Sequence, residues 1–354
     1  MDTKLKRIKK NHDNNQFRRK IRFKRNKRNH NRSLLGLSKA QRRLKHVQNR
    51  FHDYKKIKAP NQFSLLENTE GVLDFISKID RCFENKKKVF IQMEDTYSIS
   101  YDAIVVLLSK LIQFKAKKID FNGSFPKDKN AESILKGSGF LEYLYKNFND
   151  EDTYTFDKKI YTHANKNVNS ALSSKIIENA SVKLWSQPRR CPGLQRVFIE
   201  LMQNTNNHAS NQQKGEKLWW SSIVHDKEKD KICFSFIDYG VGIIDSLRNK
   251  KNGKFAKILD KITKIFSPKN NADILKLLLE GKIHELIKEQ AYNRGKGLPG
   301  IYKAYKNNAI SNLIVITNDV YANVDKDDYK EMTNNLTGTF VYWELNKNNK
   351  SIIN

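Results

Sequence analysis

The basic segment at the start of the chain cannot form a hydrophobic core of its own. The first 60 residues hold 22 Lys and Arg against 3 Asp and Glu, and apolar residues are sparse before Leu34. This segment therefore carries +19 of the formal net charge of +29. Burial of so little apolar surface cannot offset the entropy lost on folding. Residues 1–60 are predicted to be a basic arm, disordered or helical.

A basic arm can bind polyanions or stay solvated without a partner, and two kinds of partner are open. Lysine and arginine release counterions from RNA or DNA phosphates, so residues 1–58 are expected to bind nucleic acid or an acidic protein. Ser38 is a suitable N-cap for a basic helix that ends near Tyr54. Charge alone indicates no preference for a base sequence.

Neither a membrane span nor a cysteine framework is predicted. The longest apolar stretch, Ala103 to Ile112, is interrupted by Lys110 and is shorter than the roughly 20 residues that cross a bilayer. The first residues show no apolar signal-peptide core. The three cysteines stand far apart and match no zinc spacing or disulfide set. We therefore expect a cytoplasmic protein with no membrane partner.

Helical and strand patterns alternate in residues 61–150. Apolar spacing of three and four residues indicates helices, and short β-branched runs indicate strands. Such alternation predicts a small α/β domain with parallel strand pairing. The predicted elements are helices at Thr69–Glu84, at Tyr101–Phe114 and from Ala131, and strands at Lys88–Met93 and Lys118–Phe121.

This order of elements resembles the STAS-type domains, the fold of anti-sigma-factor antagonists. The resemblance lies in a strand, a helix that begins at the polar turn Ser98–Asp102, a second strand, and a helix that ends in LKGSGF. In that family a Ser of an Asp-Ser-x-Gly motif can accept a phosphate, and this chain lacks the motif. The resemblance implies a STAS-like module that docks a protein partner without being phosphorylated.

A polar stripe lies on the helix predicted from Leu194 to Ser210. Glu200, Asn204 and His208 are spaced four residues apart and so lie on one helix face. An amide oxygen can ligate Mg²⁺, which prefers oxygen ligands. A carboxylate one turn away can orient or deprotonate a nucleophile. By itself the stripe is a weak signal for phosphate chemistry, because polar faces at helical spacing are usually just solvated.

Two glycine turns and a Gly-Thr pair follow the polar stripe. The predicted strand Lys231–Asp238 leads into Asp238-Tyr-Gly-Val-Gly-Ile243, where a carboxylate can accept the adenine amine and glycines admit the ring. The loop Asn293–Gly300 opens a helix whose free N–H groups can bind phosphates. This loop matches neither a Walker A motif nor a Rossmann fingerprint in context. A last predicted strand, Thr337–Leu345, opens with Gly-Thr.

In this order the four motifs resemble the GHKL (Bergerat-fold) ATPases, which include gyrase, mismatch-repair ATPases, histidine kinases and anti-sigma-factor kinases. The resemblance implies an α/β fold in residues 151–350, in which helices cover one face of a mixed sheet and Mg-ATP lies between them. A nucleotide lid is expected at about residues 245–293, with helices at Phe255–Ile265, Asp273–Glu280 and Ile283–Ala291.

The resemblance also assigns roles to residues of this sequence. Glu200 would be the catalytic base, Asn204 the Mg²⁺ ligand and Asp238 the adenine reader. The other expected ATP-binding residues are His208, Gly240, Gly242, Ile243, Arg294, Gly295, Lys296, Gly297, Leu298 and Thr339.

Three uses of ATP remain open at this point. Glu200 favours activation of water, so ATP hydrolysis as a conformational switch is the first expectation. A Ser/Thr protein kinase of the anti-sigma-factor type is the second, and the STAS-like segment favours it. A non-catalytic ATP-responsive scaffold is the third. A homodimer is possible, since ATP-driven dimerisation is common in the resembled superfamily.

Overall fold

The computed structural model describes residues 19–27, 51–145, 160–163, 168–208, 219–248, 264–283 and 297–353, and only the backbone of 160–163 and 206–208. The chain forms two compact units, Met1–Tyr54 and Lys55–Asn354. In the first unit residues 19–27 form an exposed helix. Most of the helix predicted from Ser38 to Tyr54 lies outside the described residues.

A three-stranded parallel sheet begins the second unit. Its strands are β1 (Lys55–Lys58), β3 (Val89–Gln92) and β5 (Phe121–Gly123), with β3 in the centre. Both pairings are parallel, which confirms the sequence prediction. The strand β1 lies within the segment predicted to be an arm, because Ile57 is apolar and buried in this sheet. The strands β2 (Gln62–Phe63) and β4 (Ser98–Ile99) form a separate, short parallel pair.

Residues 55–145 of the second unit are called the N-terminal layer, and they include four helices. They are α1 (Thr69–Glu84), α2 (Tyr101–Ala116), α3 (Lys129–Gly137) and α4 (Phe140–Tyr145). The strand predicted at Lys118–Phe121 begins only at Phe121, because α2 ends at Ala116 and a turn at Lys117 and Lys118 follows it. There Lys118 adopts a φ of +55°, and the Ile119 N–H donates to the Phe114 carbonyl at 2.9 Å.

A five-stranded sheet forms the centre of the unit. Its order is β10-β11-β9-β8-β6. All four pairings between these described strands are antiparallel, in contrast to the mixed sheet that the resemblance implies. The strands are β6 (Ile160–His163), β8 (Trp219–Asp226), β9 (Lys231–Asp238), β10 (Ser311–Asn323) and β11 (Asp328–Asn346). A separate antiparallel pair joins β7 (Arg189–Arg190) to β12 (Ile352–Ile353).

Helices of the C-terminal half cover one face of this sheet. These helices are α5 (Ser170–Trp185), α6 (Pro192–His208), α7 (Ile243–Arg248), α8 (Asn271–Leu279) and α9 (Gly297–Lys306). Side chains alternate along a strand, so Phe234 and Phe236 of β9 face these helices. The helix α8 is the middle helix of the predicted lid. Its residues Leu275 and Leu279 are buried in the same core.

The other face of the sheet is covered as well, which differs from the one-sided sandwich that the resemblance implies. Ile237 of β9 and Phe340 of β11 are buried in a core that they share with α1 and α2. Tyr143 of α4 packs edge-on against Trp220 at 5.8 Å between ring centroids. The physical reason is that the central strands are apolar on both sides, so each face needs a covering layer.

The hairpin β10–β11 extends beyond the two predicted strands Leu313–Thr317 and Thr337–Leu345. Its outer part contacts the N-terminal layer, where Glu70 of α1 accepts hydrogen bonds from the Thr333 and Asn334 N–H groups at 2.7 and 3.2 Å. None of the helices in the described ranges is long and apolar enough to cross a membrane.

Candidate functional site

Asp238 is a buried carboxylate at the last position of β9. It is 8% exposed and faces the same side as Phe234 and Phe236, towards α5 and α6. Burial raises its pKa to about 6, although the Gly240 N–H donates to Oδ1 at 2.9 Å. Within the described ranges this N–H is the one hydrogen-bond donor to the Asp238 carboxylate. A buried carboxylate with one donor can accept another hydrogen bond.

Thr339 lies beside Asp238 on the neighbouring strand. The two residues are paired in the register of β9 and β11, and Thr339 is also 8% exposed. Gly338 precedes it with a φ of +119°, and a Cβ at this position would collide with the Asp238 carbonyl. Only glycine permits this approach, so the Gly-Thr pair places a hydroxyl next to the carboxylate.

The turn Gly240–Ile243 closes over the end of the sheet. Gly242 has a φ of +81°, which favours glycine. The turn is held by two residues of β10: the Thr317 hydroxyl accepts the Ile243 N–H at 2.9 Å, and Asn318 Nδ2 donates to the Val241 carbonyl at 2.9 Å. Sequence reasoning missed both, because about 75 residues separate them from the turn.

A second set of predicted residues meets where α6 packs against α9. A Cβ placed on Gly297 would lie 2.9 Å from Asn204 Oδ1, and one on Gly300 would lie 3.3 Å from Glu200 Oε1. The Glu/Asn helix therefore lies against the first turn of the helix that follows the glycine loop. These close approaches depend on glycine in the first turn of α9.

Arg196 adds a positive charge to this second set. Its guanidinium Nε lies 3.5 Å from Glu200 Oε1, one turn along α6. The Glu200 side chain is 15% exposed, while the Arg196 side chain is 51% exposed. The Glu200 carboxylate and the Arg196 guanidinium therefore lie together next to the start of α9. The guanidinium can attract an anion, and the carboxylate can accept a proton from a nucleophile. Arg196 belongs to none of the sequence motifs described above.

Both sets lie on the same face of the five-stranded sheet. Phe198, two residues before Glu200, packs against Phe234 of β9 at 5.7 Å and Trp343 of β11 at 5.2 Å between ring centroids. Asp238 and Thr339 continue that face along the same two strands. Leu298 packs at the edge of the same core.

Some predicted residues lie outside the described part of the chain. They are Arg294, Gly295, Lys296 and the side chain of His208. In the described ranges no group of three His, Cys, Asp or Glu could hold a metal by itself. Mg²⁺ that is held mainly by phosphate oxygens and water needs only one or two protein ligands. The Asn204 carboxamide oxygen, left room by the missing Cβ of Gly297, fits that requirement.

Comparisons with known proteins found no matching family model, no similar curated protein and no similar solved structure. A function is therefore inferred from the geometry of these residues.

Proposed function

We propose that residues 151–350 bind Mg-ATP in the manner of the GHKL (Bergerat-fold) ATPases and hydrolyse it as a conformational switch. The observation that carries the proposal is Asp238, a buried strand-end carboxylate with a single N–H donor among the described residues and a hydroxyl from Thr339 beside it. Further support comes from α6, which presents Glu200 and Asn204 to the start of α9 on the same face of the sheet.

The base would be recognised at the end of β9. The exocyclic amine of adenine donates to the Asp238 carboxylate, and the Thr339 hydroxyl can donate to a ring nitrogen. Guanine carries a carbonyl where adenine carries the amine, so the carboxylate would repel it. In a buried site such a hydrogen bond is stronger than in water.

The phosphates would lie at the start of α9. Its first N–H groups have no partner within the helix and bear the positive end of the helix dipole. Asn204 would hold Mg²⁺ together with the phosphates, and the ion would neutralise charge on the phosphate oxygens. Glu200 would take the proton of a water whose oxygen bonds to the γ-phosphorus while the bond from that phosphorus to ADP breaks, and Arg196 would keep the carboxylate oriented.

The binding half of the proposal is tested with Asp238→Asn. Loss of a charge-assisted hydrogen bond is expected to weaken ATP binding by at least about tenfold in calorimetric titration. Asp226→Asn, a carboxylate at the end of β8, is the matched control and should bind as the wild type does. ATP binding by Asp238→Asn with wild-type affinity would contradict the proposal.

The chemical half is tested with Glu200→Gln. This variant is expected to keep ATP affinity and lose phosphate release by about 100-fold or more, since the carboxylate supplies the base. Glu178→Gln, on the exposed face of α5, is its control. Equal phosphate release by Glu200→Gln and the wild type would leave ATP binding without catalysis, as expected of a scaffold.

Transfer to a protein hydroxyl is the second candidate activity. Glu200 can take the proton of a Ser or Thr as well as that of water, and the STAS-like layer packs on the same unit of the chain. Label from γ-labelled ATP on a protein, stable after ATP is removed, would favour the kinase. Release as inorganic phosphate alone would favour the ATPase.

For the N-terminal unit we propose binding to nucleic acid phosphates. The helix 19–27 supports this, because six of its nine side chains are Lys or Arg and all nine are exposed. Phosphate contacts by all six would give a slope of roughly −5 for log affinity against log salt concentration. The two exposed apolar residues, Ile21 and Phe23, do not form a continuous apolar face.

The arm is tested by deletion of residues 1–54, since Lys55–Lys58 belongs to the parallel sheet. Salt-sensitive binding to RNA or DNA should disappear while ATP binding is kept. Unchanged nucleic-acid affinity would refute this role. Binding of the full chain to an acidic polypeptide and not to nucleic acid would favour the acidic protein partner.

A further inference from the structure

The strand β10 changes its pairing where it passes the candidate site. Thr317 pairs with Thr339 of β11, but the next residue, Asn318, pairs with Leu336, so the register shifts between them. Asn318 also adopts a φ of +51°, a left-handed conformation that is rare within a strand. Asparagine tolerates it better than most residues do. Such bulges re-aim side chains and are common beside functional sites.

The carboxamide of Asn318 holds the turn that follows Asp238. It is 2% exposed; Oδ1 accepts the Ile244 N–H at 3.0 Å and Nδ2 donates to the Val241 carbonyl at 2.9 Å. A Cβ on Gly242 would collide with this carboxamide. The Asn318 side chain thus bonds to the backbone of the turn as a neighbouring strand would, and both its oxygen and its nitrogen are hydrogen-bonded.

The hydroxyl of Thr317 connects the same turn to the start of the Gly-Thr pair. It accepts the Ile243 N–H at 2.9 Å and donates to the Gly338 carbonyl at 3.0 Å. Thr317 is fully buried and lies 3.3 Å from the Thr339 hydroxyl. One hydroxyl therefore bonds to both backbone segments that carry the base-reading side chains.

We infer that Thr317 and Asn318 are positioning residues that hold the Asp238 turn and the Gly-Thr pair in the geometry that selects adenine over guanine. This inference rests on the proposed nucleotide site. Neither side chain needs to touch the base, because each acts through backbone groups next to Asp238 or Thr339. Loosening them frees the carboxylate and the hydroxyl to move apart, which reduces the preference for ATP over GTP.

Two pairs of variants test this role. Thr317→Val removes the hydroxyl and keeps the shape, whereas Thr317→Ser keeps the hydroxyl. Asn318→Gly removes the carboxamide and still permits the left-handed backbone. Its control is Asn312→Gly, because Asn312 lies in the same strand with a φ of +48° and bonds to Glu344, away from the turn.

Dissociation constants for ATP and GTP are measured by titration of the full chain and each variant. Thr317→Val and Asn318→Gly are expected to weaken ATP binding by about tenfold and to reduce the ATP-to-GTP preference, because each removes hydrogen bonds that hold backbone next to Asp238 or Thr339. Thr317→Ser and Asn312→Gly should stay within about threefold of the wild type. Near-ultraviolet circular dichroism and melting temperatures are recorded for all four variants.

Two results would overturn the inference. One is an unchanged ATP-to-GTP preference in both Thr317→Val and Asn318→Gly. The other is an equal loss of affinity for both nucleotides that follows the loss of melting temperature, which indicates a general loosening of the fold. Failure of the proposed function is seen separately. In that case the wild-type chain would bind neither nucleotide, or the Asp238→Asn variant would bind ATP with wild-type affinity.

Discussion

Asp238 and Tyr239 are consecutive residues that point to opposite faces of the same sheet, and their surroundings differ. Asp238 faces α6, and its carboxylate receives one hydrogen bond from the described part of the chain, from the Gly240 N–H. Tyr239 faces the N-terminal layer, where its hydroxyl lies 2.6 Å from the Ser109 hydroxyl and donates to the Val106 carbonyl at 3.2 Å. Burial raises the pKa of both side chains, so burial alone does not separate them.

The difference lies in how completely each polar group is paired. The Tyr239 phenol is satisfied on its own face, and the Lys110 ammonium lies 4.2 Å from its ring centroid. Such pairing fixes the N-terminal layer on the sheet. The Asp238 carboxylate keeps acceptor capacity that a ligand can use. We therefore take the Tyr239 face as structural and the Asp238 face as the binding face.

The largest expected effect concerns Lys110, which is 5% exposed and pairs with Asp80 at 2.8 Å. Lys110→Met leaves the Asp80 carboxylate unpaired between α1 and α2. The free energy of unfolding is expected to fall by about 3 kcal/mol in urea denaturation.

The control for this pair lies on the surface of α1. Lys78 pairs with Asp74, and both side chains are nearly half exposed. Lys78→Met should therefore cost no more than about 0.5 kcal/mol. Similar effects of the two substitutions would show that the buried Lys110–Asp80 pair contributes no more to stability than an exposed pair does.

A smaller effect, of opposite sign, is expected at Asp238. Its pKa of about 6 in the folded chain lies above the ordinary value of 3.8, so the ionised carboxylate disfavours folding above pH 6. That cost disappears as the pH falls through 6 towards 4. Asp238→Asn should therefore raise the free energy of unfolding by about 2 kcal/mol near pH 8 and by little near pH 4.

Denaturation curves of wild type and Asp238→Asn across this range give the difference directly. Asp102 is a second buried carboxylate whose pKa burial raises to about 6, but it is present in both proteins and so cancels. A gain in stability that is the same at both pH values would mean that Asp238 does not titrate as its burial indicates.

Local elements could be predicted from the sequence where they carry their own pattern. The helix Thr69–Glu84 and the strand Lys231–Asp238 have the predicted bounds, because apolar spacing fixes which side of each is buried. The turn after Asp238 and the glycine in the first turn of α9 could also be found. Both are recognisable from the local sequence alone, because each is marked by its glycines.

The rest depends on contacts between distant parts of the chain. The outer part of the hairpin β10–β11 is polar in sequence, and it is stabilised by pairing between its own strands and by Glu70 of α1. Asn318 reads as a loop residue, yet it is buried because the turn at Val241 and Ile244 supplies its partners. Nor does any local pattern show that α1 and α2 cover the second face of the sheet.

The smallest effect concerns the Tyr239 hydroxyl. Tyr239→Phe removes its bonds to Ser109 and Val106 and is expected to lower the free energy of unfolding by about 1 kcal/mol. In a double-mutant cycle with Ser109→Ala, the two substitutions should cost less together than the sum of their separate costs. Strictly additive costs would mean that the two hydroxyls do not bond.

The same variant tests whether the two faces act separately. The Tyr239 hydroxyl points away from the proposed nucleotide site, so Tyr239→Phe is expected to bind ATP within about twofold of the wild type, since less than about 0.5 kcal/mol should reach Asp238. Calorimetric titration measures this directly. A larger loss of affinity would show that the backbone shared by Asp238 and Tyr239 transmits a change on one face to the other. The N-terminal layer would then affect the proposed nucleotide site and not only cover the sheet.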